Sequence, residues 1–208
     1  QTVHFAVDLT DAVYPVLVDP IISTFAWTQV GGTPDARNAG ALAFDGERNQ
    51  LVLFGGFGTV GSGGYLADTW VLSNNRWLQK TPATSPTGRD NFALAFDGER
   101  KEVVLFGGNN VANAYLADTW GWNGTTWSQK TGAAPPGRVS PAMAYDAVRK
   151  QLVLFGGTGA SGKLGDTWVW EGGGWTQKLV AGPTARSGHM MAFDAERDVV
   201  VLFGGRRD

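Results

Sequence analysis

The chain of 208 residues has no cysteine, which excludes disulfide cross-links, thiolate nucleophiles and every metal site built on thiolate ligands. Histidine is almost as scarce. Only His4 and His189 occur, in no His-x-x-x-His frame, so zinc and non-haem iron sites lack the clustered imidazoles they need. No apolar run approaches the roughly 20 residues of a membrane-spanning helix, and the first residues lack the basic stretch that opens a signal peptide. Seventeen basic against nineteen acidic side chains give a formal charge of −2, so no field of one sign favours nucleic acid or an anionic membrane. Neither nucleic-acid binding nor membrane insertion is expected, and no metal or cofactor.

What the chain has in abundance is glycine (30), phenylalanine (11) and tryptophan (9), a composition suited to short strands joined by tight turns and packed through large aromatics. These residues recur on a beat. Phe-Gly-Gly ends an apolar run at Phe54, Phe106, Phe155 and Phe203, in steps of 52, 49 and 48 residues. Asp-Thr-Trp begins at Asp68, Asp118 and Asp166, an isolated Trp opens a polar stretch at Trp27, Trp77, Trp127 and Trp175, and a Pro-x-x-Arg loop ends at Arg37, Arg89, Arg138 and Arg186.

The second copy reads as four strands. Ala93-Leu94-Ala95-Phe96 alternates small and large residues, and Asp97-Gly98-Glu99-Arg100 turns the chain into Glu102-Val103-Val104-Leu105-Phe106. After a loop, Thr119-Trp120-Gly121-Trp122 places two Trp on one face, and Asn123-Gly124 turns it back into Trp127-Ser128-Gln129-Lys130. Asn123-Gly124-Thr125 also fits a glycosylation acceptor, but Asn-Gly is the preferred pair of a tight hairpin, and the turn is the expected role. All nine Trp fall on three repeat positions, so Trp77, Trp127 and Trp175 are expected to lie buried between adjacent units. The double glycines imply positive φ or close backbone approach at each strand end.

Pro-x-x-Arg, Ala-Leu-Ala-Phe-Asp, Phe-Gly-Gly, Asp-Thr-Trp and the closing Trp recur in order over about residues 25 to 205, and in this the chain resembles the kelch-repeat family, whose repeat is near 50 residues. The Asp-Thr-Trp form, with Trp170 and Glu171 following, is similar to the bacterial, galactose-oxidase-like branch more than to the animal substrate adaptors. The resemblance implies an all-β fold: a kelch-type β-propeller of four-stranded antiparallel blades, at about 38–80, 90–130 and 139–178, with a partial blade at 187–205. Galactose-oxidase chemistry does not carry over, because it depends on a cysteine-linked tyrosine and histidine ligands.

The ends break the pattern. Phe25-Ala26-Trp27-Thr28-Gln29 reads as a fourth strand with no blade before it, and the last repeat has no Asp-Thr-Trp. The family's way of closing a ring implies that 25–29 completes the partial blade, beside a strand of the C-terminal repeat. Residues 1–24 contain no Lys or Arg, and Tyr14-Pro15-Val16-Leu17-Val18-Asp19-Pro20 resembles the junctions before repeat domains in large secreted bacterial proteins. An extracellular or cell-surface segment of a longer bacterial protein is the expectation. Three and a half repeats fit half a propeller completed by further blades, a homodimer, or a four-bladed form patched by 1–24.

An antiparallel meander puts alternate connections at opposite ends. At one end the Asp-x-x-Arg turns, Asp45 to Arg48, Asp97 to Arg100, Asp146 to Arg149 and Asp194 to Arg197, keep one spacing and imply ion pairs or capped turns. At the other end the loops Phe57 to Ala67, Asn109 to Ala117 and Thr158 to Gly165 differ in length and sequence, as binding loops on a rigid scaffold do. The same end carries Arg37, Arg89, Arg138 and Arg186. Either this ring of guanidinium groups holds a carboxylate or sulfate ligand, or each arginine bonds carbonyls of the neighbouring blade. No catalytic constellation stands out. A non-catalytic binding or scaffolding module with a protein or glycan ligand on the loop face is expected. Its rivals are an ancillary propeller of a carbohydrate-active enzyme and a purely structural, self-assembling repeat.

Overall fold

The structure is a computed structural model that describes residues 32–58, 63–112 and 114–207. The segment 1–24, His4 and the strand expected at Phe25 to Gln29 lie outside the described residues.

Every described blade strand follows from a local signal. In blade 1, Ala41–Asp45, Gln50–Phe54, Thr69–Ser73 and Arg76–Lys80 form one antiparallel sheet in chain order. Blade 2 repeats this with Ala93–Asp97, Glu102–Phe106, Thr119–Trp122 and Trp127–Lys130, and blade 3 with Ala142–Asp146, Gln151–Phe155, Thr167–Trp170 and Trp175–Lys178. Ser187–Asp194 and Val199–Arg206 make a two-stranded blade 4. Register repeats as well, with Thr opposite Phe and Trp opposite Leu across each second and third strand. This is the all-β architecture of propeller blades.

The Asp-x-x-Arg turns both cap and pair. Asp45 accepts a hydrogen bond from the Arg48 amide at 3.2 Å through one oxygen and from the Arg48 guanidinium at 2.9 Å through the other. The same guanidinium reaches the Lys101 carbonyl of the next blade at 3.0 Å, as Arg100 reaches Lys150 and Arg149 reaches Asp198. Asn123 accepts the amides of Thr125 and Thr126 through its side-chain oxygen, which is the hairpin turn expected there.

Successive blades lie side by side through their first strands. A chain of main-chain bonds stitches them together: Asn91 N–H donates to Ala39 C=O, Ser140 to Asn91 and Gly188 to Ser140, at 2.7–3.1 Å. Ala39, Asn91 and Ser140 adopt φ of 49°, 52° and 51° to make this contact, and only Gly188 does so without a side-chain penalty. The second glycine of each Phe-Gly-Gly donates to the carbonyl of the next blade's loop arginine, Gly56 to Arg89 at 2.8 Å, Gly108 to Arg138 and Gly157 to Arg186 at 2.9 Å. A Cβ on Gly55 would meet the Arg89 carbonyl at 2.7 Å. Close approach and positive φ, the two uses expected of the glycine pair, are both present.

Hydrophobic packing follows the same order. Val52, Phe54 and Val71 of blade 1 pack against Phe92, Leu105, Trp122 and Trp127 of blade 2. Ala93, Val104 and Phe106 of blade 2 pack against Met143, Leu154, Trp170 and Trp175 of blade 3. Trp127 donates its indole N–H to Thr69 of the preceding blade and Trp175 donates to Thr119, each at 2.9 Å. Trp77 departs from the expectation and is only half-buried. Its face of blade 1, with Leu42 and Phe44 each 54% exposed, has no earlier blade against it among the described residues.

Candidate ligand-binding face

The short segments that carry the loop arginines run antiparallel to the start of the variable loops: Arg37 sits opposite Gly58, Asp90 opposite Asn109 and Val139 opposite Thr158. Arginine and loop therefore belong to one end of each blade. The arginines, however, turn into the blade.

Arg89 is 1% exposed, and all five of its N–H donors are used. Nε bonds the Thr87 carbonyl and Nη2 the Thr87 hydroxyl; Nη1 bonds the Gly107 carbonyl at 3.1 Å, and the two Nη atoms grip the Asp118 carboxylate at 2.6 and 2.8 Å. Arg138 holds Gly156 and Asp166 in the same way, and Arg37 holds Gly55 and Asp68. The acceptors lie in the arginine's own blade, which corrects the expected bonds to a neighbour's carbonyls. Each guanidinium ties the second strand's end to the aspartate that opens the third strand. Arg186 bonds Gly204 and Thr184 and meets no carboxylate among the described residues.

Burial pushes the carboxyls of Asp68, Asp118 and Asp166 up, but the forked arginine and an indole donor outweigh it and hold all three below the usual range. The indole belongs to the same Asp-Thr-Trp, with Trp70, Trp120 and Trp168 donating at 2.6–2.7 Å. The motif is thus an anchor for the arginine. A sequence signal for the pairing existed: in each complete repeat Arg and Asp recur 31, 29 and 28 residues apart, and an arginine on a buried strand entrance needs a counter-charge.

With the arginines engaged, the loops supply the accessible chemistry. Val111 is 81% and Tyr115 42% exposed. Phe57 and Tyr65 stack edge to face at 5.3 Å, and the Tyr65 hydroxyl accepts a hydrogen bond from Asn109 Nδ2 at 2.9 Å, joining the loops of blades 1 and 2. The third loop is a small hairpin, with Thr158–Gly159 paired to Gly162–Lys163. Among the described residues no group of three or more His, Cys, Asp or Glu could hold a metal ion.

His189 occupies the slot of Gly40, Phe92 and Pro141 and is 5% exposed, stacked edge-on to Phe155 at 5.5 Å. Neither ring nitrogen makes a hydrogen bond of good geometry among the described residues. Burial first, and then the Arg186 charge, lower its pKa, with the Phe155 backbone pulling weakly the other way. A depressed histidine pKa means that the unfolded chain takes up the proton first, so stability falls as pH drops below about 6.5. His189→Phe, which copies the Phe92 contact with Phe54, should raise stability by about 1–2 kcal/mol and flatten its dependence between pH 7 and 5. Urea melts at the two pH values test this, and a variant that keeps the parent's slope would refute the assignment.

Four-stranded antiparallel blades joined through their first strands define a propeller-type repeat domain. The chain matches the family model for the KLHDC2/KLHL20/DRC7 Kelch-repeats domain over residues 20–169. That span is well over half of the sequence, and the protein belongs to the kelch-repeat family. No curated protein matches it as a relative.

Proposed function

We propose that this chain is a non-catalytic binding module whose ligand, a protein or a glycan, sits on the variable-loop end of the blades. The observation that carries the reading is the contrast between the ends. One is uniform, with the Asp-x-x-Arg turns of blades 1, 2 and 3 each bonded into the next blade. The other keeps Arg37, Arg89 and Arg138 in internal ion pairs and presents loops of different length and composition, with Val111 and Tyr115 exposed. Kelch-repeat domains are generally non-catalytic and mediate protein interactions. The protein is proposed to be bacterial and secreted or surface-bound, a reading supported by the Asp-Thr-Trp form and the Tyr14 to Pro20 stretch.

A glycan array and a displayed peptide library, each probed with the full chain, test the proposal. Tyr115→Ala with Val111→Ser should weaken the selected ligand by about tenfold and leave the melting temperature unchanged. Ligands lost on substitution of Glu47 or Glu99 at the opposite end, and indifferent to the loop variant, would overturn it.

A further inference from the structure

Five carboxylates are buried among the described residues. Asp45, Asp97, Asp146 and Glu102 each meet an arginine or lysine at 2.6–2.9 Å, and the counter-charge makes their burial tolerable. Asp90 is the exception. It is 8% exposed, and its Oδ1 is closed off from solvent without a hydrogen bond of good geometry among the described residues. Arg89, its neighbour in the chain, spends all five N–H donors on Thr87, Gly107 and Asp118. Burial accordingly pushes the Asp90 carboxyl up, outweighing the Asn91 side chain and the Asp90 amide, which pull it down.

The repeat does not call for an acid at this position. The same slot holds Asn38, Val139 and Ser187 in the other blades, whereas Asp45, Asp97 and Asp146 recur together with their arginines. Asp90 and Asn109 exchange both main-chain hydrogen bonds at 3.1 Å, so their side chains stand on one face of the pair. On that face Asn109 Nδ2 donates to the Tyr65 hydroxyl at 2.9 Å, and Tyr65 packs edge-on to Phe57. The carboxylate therefore lies where the variable loops of blades 1 and 2 meet, with exposed Val111 two residues beyond Asn109. Both of these blades carry all four strands. A buried carboxylate without a partner is costly, and a ligand that brings the missing charge recovers that cost on binding.

We propose that Asp90 is the charge-selecting residue of the variable-loop face, receiving a lysine or arginine side chain that a protein ligand inserts between the loops of blades 1 and 2. This rests on the reading of that face as the binding surface and names its ligand class, a protein and not a glycan. Depth decides between the two. A carboxylate at 8% exposure is recessed, and a basic side chain reaches it on a slender apolar stem that tolerates burial. A sugar hydroxyl stands one bond from its ring and would have to bring the ring with it. An ammonium or guanidinium also supplies the counter-charge and a charge-assisted hydrogen bond, which a hydroxyl does not.

The test follows the backbone amide signals of the isotopically labelled full chain by NMR as capped Gly-Lys-Gly and Gly-Arg-Gly peptides are added, with Gly-citrulline-Gly as the uncharged isostere. Saturable shifts centred on Asp90, Asn109 and Tyr65 are expected with the two cationic peptides. Binding should be at least about tenfold weaker for the citrulline peptide, and for the cationic peptides on an Asp90→Asn chain. That variant should melt no lower than the parent, since it removes a charge that has no partner, and the citrulline comparison on the unaltered chain stands without it. Equal binding of the arginine and citrulline peptides, or no shift up to about 10 mM peptide, overturns the proposal. So does a library ligand that is lost with Tyr115→Ala and Val111→Ser yet lacks Lys and Arg and ignores Asp90→Asn, an outcome that leaves the binding face standing. A glycan released by Asp90→Asn would overturn it as well. Cationic peptides that bind at Asp90 while every library ligand ignores the loop variant would instead uphold the cation site and overturn the binding face.

Discussion

Replacing Trp127 with alanine is expected to lower the unfolding free energy by about 3–5 kcal/mol. The ring is fully buried, tilted against Trp122 at 5.5 Å and edge-on to Phe54 at 5.2 Å. Those contacts belong to two blades, and the indole bond to Thr69 crosses the same joint. Truncation therefore opens a cavity at a blade interface that cannot close without moving one sheet relative to the other, the condition under which large-to-small losses reach the upper part of their range. Trp77 holds the same repeat position on a half-buried face, and Trp77→Ala should cost less than half as much. Urea unfolding of the two variants, compared at equal m-values, checks the pair of values. Equal losses at the two sites would show that repeat position, and not the covering blade, decides the contribution of the ring.

That contrast marks how far the sequence can be read. The four-stranded meander was legible because its signals are local: alternation in Ala93 to Phe96, an Asp-Gly-Glu-Arg turn, an apolar run, an Asn-Gly hairpin, all within about 40 residues and repeated. Burial of Trp127 and Trp175 followed from their period. The half-exposure of Trp77 did not, because burial depends on what stands against blade 1, and nothing near residue 77 encodes it. The inner stitching was equally silent, since Ala39 and Ser140 are poor markers of positive φ and only Asn91 and Gly188 hint at it. For the arginines the sequence carried the residues and their spacing without the direction of the side chain. An arginine at a loop can point to solvent or back into its sheet with the same pattern, and the choice falls to the aspartate about 30 residues on, whose counter-charge makes burial tolerable.

The second large effect is expected at that pair. Arg138→Ala should cost about 3–5 kcal/mol at neutral pH, the usual result of stripping one partner from a buried ion pair. Arg138 is fully buried, and its loss frees the Gly156 carbonyl and leaves Asp166 with the Trp168 indole as its remaining described side-chain donor. In the parent, the pull of Arg138 and Trp168 exceeds the upward push of burial and keeps the Asp166 carboxyl low. A lowered folded pKa gives stabilisation that is fully present above the unfolded value near 4 and is lost as pH falls through the folded value. Without the arginine its pull is gone, burial's upward push on the Asp166 carboxyl is opposed less, and the variant lacks this stabilisation at neutral pH. The stability gap between parent and variant should therefore narrow as pH falls from 7 to about 3, through the range in which the parent loses its contribution. Arg138→Lys should recover only a small part of the loss, because an ammonium cannot bridge two carboxylate oxygens and the Gly156 carbonyl in one plane. Denaturant titrations at the two pH values decide the point, and a gap that stays constant on acidification would mean that Arg138 acts through packing alone.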